Sequence, residues 1–180
     1  QYTDAYKQEY LDEVAEVYLQ ELSQVEEPQD VSQWYNYQYE LKSSVEFYQE
    51  DLLVIKTFAS MYAGGAHGMY NTNYFNMDLR IQKILQTTDI FKDGVNKALN
   101  KQIIAQQKSD YKTENLIDAM ITEKSIYPTQ NFKLSSDSIT FCYTPYEIAA
   151  YAAGEIEVTL SWDQVKDLIQ ADQPIFKSLK

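Results

Sequence analysis

The stretch Gly64-Gly65-Ala66-His67-Gly68 runs directly into Met69-Tyr70-Asn71-Thr72-Asn73-Tyr74-Phe75-Asn76-Met77-Asp78-Leu79. Its first five positions hold three of the five glycines in the chain and its single histidine. Glycine is favoured where the backbone takes a positive φ, so a glycine pair between strand-like runs predicts a sharp bend. We therefore expect Gly64 and Gly65 to shape a corner between two strands. We expect His67 to stabilise that corner by hydrogen bonds to backbone carbonyls.

Alternating side chains on both sides of this corner predict the strands of a sheet. Before it, Tyr35, Tyr37 and Tyr39 alternate with polar residues, which is the period of two that a half-buried strand has. The run between these tyrosines and the corner is more apolar, so we expect a more central strand there. The predicted strands of this part cover residues 34–48, 52–63, 69–79 and 84–85.

Helices and a second group of strands are predicted in the rest of the chain. Residues 3–22 repeat apolar side chains at steps of three and four, which indicates an amphipathic helix. The other predicted elements are helices at 94–108, 113–120 and 162–169, the last capped by Ser161, a β-hairpin at 131–143 and a strand at 155–160. Strand runs separated by single helices predict an α+β fold, with a mostly antiparallel sheet and helices packed against it.

The length of the chain bounds its domain organisation. A chain of 180 residues fits one domain over residues 1–180, or two fused subdomains at 1–85 and 86–180. The mean hydropathy is −0.47, and no apolar run approaches the roughly 20 residues that span a bilayer. Because the chain begins at Gln1 without Met, we expect a processed product that lacks a signal or N-terminal anchor.

The net charge of −12 is unevenly distributed. Residues 1–60 hold 13 acidic against 3 basic residues, and residues 61–180 hold 14 against 12. Nucleic acid is an improbable partner for such a chain, because phosphate binding needs a basic surface. The acidic excess either serves solubility or steers a cationic protein toward the chain.

The residues of common catalytic and metal sites are few. Cys142 is the only cysteine, so no internal disulfide forms, and its neighbours predict an inert thiol inside a strand. His67 has no second histidine with which to hold a metal, and we expect neither a metal nor a cofactor. One enzymatic alternative stays open, a glycan hydrolase that uses His67 and a carboxylate.

Two segments of the chain together carry a family resemblance. The first is the glycine corner with the Tyr/Asn-rich strand after it and Thr88-Asp89-Ile90-Phe91; the second runs from Phe141 through Pro145-Tyr146-Glu147-Ile148-Ala149 to Gly154 and Trp162. Their order and spacing resemble the PdaC/RsiV-like extracytoplasmic domains. Such domains occur in the lysozyme-sensing anti-sigma factor RsiV, beside the catalytic domain of the peptidoglycan deacetylase PdaC, and in envelope lipoproteins. Ala150 and Glu155 depart from the usual pattern, in which proline and an uncharged residue stand at these positions.

The resemblance implies an extracytoplasmic domain that is anchored to the membrane in the full-length protein. Its implied role is non-enzymatic binding or sensing, with a cationic protein such as lysozyme or a peptidoglycan fragment as the ligand. For a domain of the bacterial envelope, the alternative hydrolase built on His67 and a carboxylate would act on cell-wall glycans. An accessory domain that scaffolds an enzyme is a further alternative. The residues expected to contact a ligand are His67, Tyr70, Tyr74, Tyr146 and Tyr151, and Gly154 joins Gly64 and Gly65 as a residue that shapes the backbone. The tyrosines are also compatible with ordinary sheet packing.

Overall fold

The computed structural model describes residues 38–170 without a break, together with residues 12, 13, 15–17, 19, 20 and 176. The helix predicted at 3–22 lies mostly outside this part, but the residues described between positions 12 and 20 are helical. The start of the first predicted strand, with Tyr35 and Tyr37, also lies outside it. No helix in the described part combines the length and the hydropathy that crossing a bilayer requires.

The strands predicted around the corner form a four-stranded sheet. Its strands are β1 (Gln38–Gln49), β2 (Leu52–Tyr62), β3 (Met69–Asp78) and β4 (Lys83–Ile84), in the order β1-β2-β3-β4. β2 lies between β1 and β3, as its apolar sequence predicted, and its residues Leu52 and Val54 are fully buried. β3 and β4 are antiparallel, with Met77 opposite Ile84.

A second sheet has three antiparallel strands in the order β5-β6-β7. These are β5 (Phe132–Leu134), β6 (Ser138–Tyr143) and β7 (Ile156–Ser161), which confirms the predicted hairpin and the predicted last strand. Phe141 in the central strand faces Phe132 on one side and Val158 on the other. All three of these side chains are fully buried, because this face of the sheet forms the core.

The helices are shorter than predicted in two places. Within residues 38–170 the α-helices are α1 (Thr87–Ile90), α2 (Asn96–Tyr111) and α3 (Trp162–Val165). α2 matches the helix predicted at 94–108 and packs on β7. The helix predicted at 113–120 is instead a turn of 3₁₀-helix, Leu116–Ala119, because the Asn115 side chain caps it and Met120 takes a left-handed φ of 60°. Ser161 caps α3 as predicted, but that helix ends after one turn.

Two asparagine side chains connect β3 with the second sheet. Asn76 donates from Nδ2 to the Phe132 carbonyl at 2.6 Å, and its Oδ1 accepts from the Leu134 N–H at 2.8 Å. Asn131 accepts from the Tyr74 N–H at 2.9 Å. A side-chain amide has the same donor and acceptor as a peptide group, so these residues replace backbone pairing between the two sheets.

The contacts within the chain divide it into two units. The first comprises Gln1–Tyr39 and Ser60–Met69, which includes the glycine corner, and the second comprises Glu40–Ala59 and Tyr70–Lys180. Both sheets have strands in the second unit, and the described pairs are antiparallel, so the predicted α+β class is confirmed. The choice between one domain and subdomains at 1–85 and 86–180 stays a prediction.

Candidate functional site

The glycine corner has the backbone that its sequence predicted. Gly64 and Gly65 have φ values of 87° and 85°, in the left-handed region that glycine favours. Tyr62 donates its hydroxyl to the Gly65 carbonyl at 2.9 Å. The exposed His67 ring has Nδ1 3.0 Å from the Gly68 carbonyl oxygen, the type of contact expected of a histidine that stabilises a bend. These residues belong to the first unit.

The described residues contain no group of three His, Cys, Asp or Glu side chains placed to hold a metal ion. Cys142 lies inside β6 and is buried, as predicted. Burial raises the pKa of its thiol well above the ordinary value, and the nearby Glu157 carboxylate adds to this increase. The thiolate form is therefore suppressed, and this cysteine is chemically inert at neutral pH.

Tyr74 is buried, although it was predicted from the sequence to contact a ligand. Only 6% of the residue is exposed, and its hydroxyl donates to Glu157 Oε1 at 3.2 Å. Lys133 Nζ lies 5.1 Å from the centre of its ring. Burial, and next the Glu157 charge, raise the pKa of Tyr74. Its contacts are those of a packed and hydrogen-bonded core tyrosine.

The other three tyrosines expected to contact a ligand lie together in the second unit, and we call them the tyrosine cluster: Tyr70, Tyr146 and Tyr151. The rings of Tyr70 and Tyr151 have centroids 5.9 Å apart and meet edge to face. The Tyr146 and Tyr151 centroids are 5.5 Å apart. Phe58 of β2 extends the row, 6.2 Å from Tyr70. Tyr146 is 56% exposed and the other rings are half-buried, so the cluster presents aromatic surface to solvent.

Tyr146 is presented by a strained turn. Its φ is 73°, which is costly for a residue with a bulky side chain. The Glu147 N–H donates to the Thr144 carbonyl at 3.1 Å, so residues 144–147 form a β-turn with Pro145 in its second position. Proline there and a positive φ in the third position define a type II turn, where glycine is the usual third residue. A tyrosine in that position is a departure that needs a reason.

The side chain of Glu147 holds this turn closed. Its Oε2 accepts from the Thr144 N–H at 2.9 Å and from the Thr144 hydroxyl at 3.1 Å. Its Oε1 accepts from the Tyr127 hydroxyl at 2.6 Å. These bonds offset the strain at Tyr146. Glu147 was not among the functional residues predicted from the sequence, although a proline followed two positions later by a side-chain acceptor is a signal for a turn.

Gly154 packs closely against Tyr70 of the tyrosine cluster. It follows the 3₁₀ turn Tyr151–Ala153 and has φ 70° and ψ −156°, a conformation that essentially only glycine adopts. A β-carbon at this position would lie 3.3 Å from the Tyr70 hydroxyl oxygen. Gly154 was predicted to shape the backbone, and this contact explains why: it brings the 3₁₀ turn against Tyr70.

Glu155, which departs from the family pattern, is tied to β3. Its Oε2 accepts from the Thr72 hydroxyl at 2.9 Å. Glu157, two residues on, accepts from Tyr74 and pairs with Lys133 Nζ at 3.0 Å. Both carboxylates therefore take part in contacts with β3, Glu155 from the position just before β7 and Glu157 from β7 itself.

Comparisons with known proteins agree with the resemblance of the two segments. A family described as "Protein of unknown function (DUF3298)" matches residues 88–163. The peptidoglycan-N-acetylmuramic acid deacetylase PdaC of Bacillus subtilis (strain 168) is 28% identical over 114 residues, which are 61% of this chain. This chain spans about a quarter of the length of that enzyme, since the match covers 24% of it.

Two solved structures have the same fold. A DUF3298-family protein from Pseudomonas aeruginosa PAO1 has a TM-score of 0.65 at 23% identity, and the match covers 79% of this chain and 66% of that one. A DUF3298-family member from Bacteroides fragilis NCTC 9343 has a TM-score of 0.87 at 30% identity. That match covers 98% of this chain and 71% of the other. The similarity in sequence and in fold extends over nearly the full chain, and the protein belongs to the DUF3298 family.

Proposed function

We propose that this chain is a non-enzymatic ligand-binding domain of a bacterial envelope protein, and that the tyrosine cluster contacts its ligand. The observation that carries the proposal is Tyr146, an exposed aromatic residue at a φ of 73° in a turn that glycine would suit better. Residues with a strained backbone are concentrated at functional sites, where the role of the side chain outweighs the loss of stability. An extracytoplasmic location and an anchor upstream of Gln1 are part of this proposal.

The ligand that best suits the cluster is a peptidoglycan fragment. Sugar rings have apolar C–H faces that pack on aromatic rings, and their hydroxyls can hydrogen-bond to tyrosine hydroxyls. A row of three tyrosines with centroid spacings of 5.9 and 5.5 Å offers both kinds of contact side by side. The relative named for activity on peptidoglycan is consistent with a wall polymer as the ligand.

Calorimetric titration with a soluble disaccharide–peptide fragment of peptidoglycan tests this assignment. We expect Tyr146→Gly to weaken binding by about tenfold or more, because aromatic residues at the centre of a contact contribute most of its energy. The same substitution should change the free energy of unfolding by less than about 1 kcal/mol, because relief of the backbone strain offsets the lost ring contact.

Tyr111→Ala is the matched control, since Tyr111 is 47% exposed at the end of α2 and outside the cluster. It should bind the fragment as the wild type does. No binding of the fragment by the wild-type chain, or unchanged affinity in Tyr146→Gly, would contradict the proposed ligand contact.

A cationic protein such as a lysozyme is the second candidate ligand, and the net charge of −12 favours it. Titration with hen egg-white lysozyme at about 50 and 300 mM salt separates the two, because electrostatic attraction weakens as the Debye length falls below about 10 Å. Affinity that drops steeply with salt supports this candidate. A lack of binding at both salt concentrations removes it and leaves the glycan.

The contacts of the carboxylates support binding over hydrolysis. A hydrolase built on His67 would need a carboxylate available to a substrate. Glu155 is engaged by Thr72, and Glu157 by Tyr74 and Lys133. The single histidine belongs to the first unit of the chain and has a backbone carbonyl within hydrogen-bonding distance.

A further inference from the structure

β1 presents a long sheet edge to solvent. It is the end strand of the four-stranded sheet, and within residues 38–170 no strand pairs with its outer side. Every residue from Gln38 to Glu46 is exposed. The outer edge of an end strand is a template for pairing with another strand, because backbone N–H and C=O groups point away from the sheet there.

β1 lacks two of the devices that usually protect an edge strand, since it contains no proline and is twelve residues long. Its charged residues are Glu40, Lys42 and Glu46. Two apolar residues on one face, Leu41 and Val45, are 51% and 64% exposed. The edge at the other end of the sheet, β4, is only two residues long. β1 is therefore the edge at which this sheet can be extended.

We propose that β1 pairs with β1 of a second copy of this chain, antiparallel, with Ser44 opposite Ser44 of the partner subunit. This inference is independent of the ligand proposed above. Antiparallel pairing of two identical strands is isologous, so every contact away from the axis occurs twice. It joins the two four-stranded sheets into one continuous sheet and fills the edge hydrogen bonds of both copies.

The charges of β1 are complementary in this register. With Ser44 on the axis, Lys42 faces Glu46 of the partner subunit, and Glu46 faces the partner's Lys42. A shift that places Ser43 on the axis would instead set Glu40 opposite Glu46 of the partner subunit, and like charges directly opposite are destabilising. In the proposed register Val45 also lies diagonal to Leu41 of the partner subunit, so the exposed apolar residues of the two copies become neighbours.

Lys42 is able to make the new contact. In the single chain it pairs with Glu40 at 2.5 Å, and its side chain is 70% exposed. An ion pair so exposed contributes little, so its rearrangement costs little. Glu46 lies 3.8 Å from Lys133 Nζ, a distance at the limit of an ion pair.

Disulfide trapping tests the register directly. Residues opposite one another in an antiparallel pair have Cα atoms about 4.5 to 5.5 Å apart, within the range for a disulfide. Ser44→Cys should therefore give a covalent dimer of the full chain under mild oxidation. Tyr48→Cys should not, because Tyr48 faces Glu40 of the partner subunit and lies several residues from its own symmetry mate. The native Cys142 is buried and does not interfere.

Analytical ultracentrifugation across a range of concentrations tests the association itself. The wild type should form a dimer, Lys42→Glu should weaken it by about tenfold, and Lys42→Glu combined with Glu46→Lys should restore it. Circular dichroism establishes that each variant is folded. A wild type that stays monomeric, a dimer indifferent to Lys42→Glu, or equal crosslinking at positions 44 and 48 would overturn the proposal.

Discussion

Two residues with positive φ shape the tyrosine cluster, and one is a glycine while the other is a tyrosine. At Gly154 the backbone angles of 70° and −156° are met by the one residue that adopts them without strain. At Tyr146 a φ of 73° is accepted by an aromatic residue and compensated by the hydrogen bonds of Glu147. The first position serves packing, and the second, in our proposal, serves the ligand.

Gly154→Ala should lower the free energy of unfolding by about 1 to 3 kcal/mol, the cost of a sparsely populated backbone conformation. The added methyl group would also lie 3.3 Å from the Tyr70 hydroxyl. Urea denaturation followed by circular dichroism measures the loss. Gly65→Ala is the control, because φ is again positive, at 85°, but no atom lies within 4 Å of its β-carbon. A loss in Gly154→Ala no larger than in the control would show that the contact with Tyr70 is unimportant.

At the scale of elements, side-chain amides take the place of a strand ladder. β3 lies between β2 and β4 in its own sheet, yet Asn76 of β3 also contacts β5. Asn131, the residue before β5, accepts from the Tyr74 N–H of β3. Asn76 is 1% exposed, and both of its polar atoms are bonded to the backbone of β5. A buried amide whose nitrogen and oxygen are both hydrogen-bonded specifies one arrangement of the two elements.

Asn76→Ala should therefore lower the free energy of unfolding by about 2 to 5 kcal/mol, because it leaves the Phe132 carbonyl and the Leu134 N–H buried without a partner. Chemical denaturation measures this cost. Asn73→Ala is the matched control in the same strand, on its opposite face and half-buried, and should cost less than about 1 kcal/mol. Equal losses in the two variants would refute the bridging role of Asn76.

At the scale of the whole molecule, one ion pair stands out from a strongly acidic chain. Arg80 is the single arginine, and it donates two hydrogen bonds to Asp78, at 3.1 and 2.6 Å. Asp78 is 3% exposed. Burial by itself would raise the pKa of Asp78, but the hydrogen bonds and charge of Arg80 outweigh burial and hold this pKa below its usual range. The pair thus couples global stability to pH.

Because the pKa of Asp78 is lower in the folded than in the unfolded chain, its contribution to stability is full above about pH 4 to 5 and is lost as pH falls through the folded value. Arg80→Gln should lower the free energy of unfolding at pH 7 by about 1.5 to 3 kcal/mol. The difference from the wild type should shrink toward pH 3, as protonation removes the charge of Asp78. Urea titrations at several pH values measure this difference in the free energy of unfolding. A difference that stays constant with pH would contradict the role assigned to the Asp78–Arg80 pair. Arg80→Lys keeps the charge but not the paired hydrogen bonds. Its free energy of unfolding at pH 7 should lie between those of the wild type and Arg80→Gln.

The sequence predicted the strands better than the helices. Alternation over a whole strand is a repeated signal, and the bounds of β2, β3 and β6 follow it closely. The helix predicted at 113–120 was wrong in type, because a local cap at Asn115 and a left-handed Met120 limit it to a 3₁₀ turn. The position at which a helix begins or ends depends on single hydrogen bonds, which a periodic pattern does not reveal.

The glycine corner, the strand pattern and the family segments could be predicted from the sequence, because each of these depends on neighbours along the chain. The composition of the site depends on the tertiary structure. Tyr70 and Tyr74 share one strand face in the sequence, yet Tyr70 joins an exposed cluster while Tyr74 is covered and bonded to Glu157. The physical reason is that the exposure of each ring depends on the distant segments that pack against it. For Tyr70 this is the glycine turn at position 154, and for Tyr74 it is the Glu157 carboxylate and Lys133.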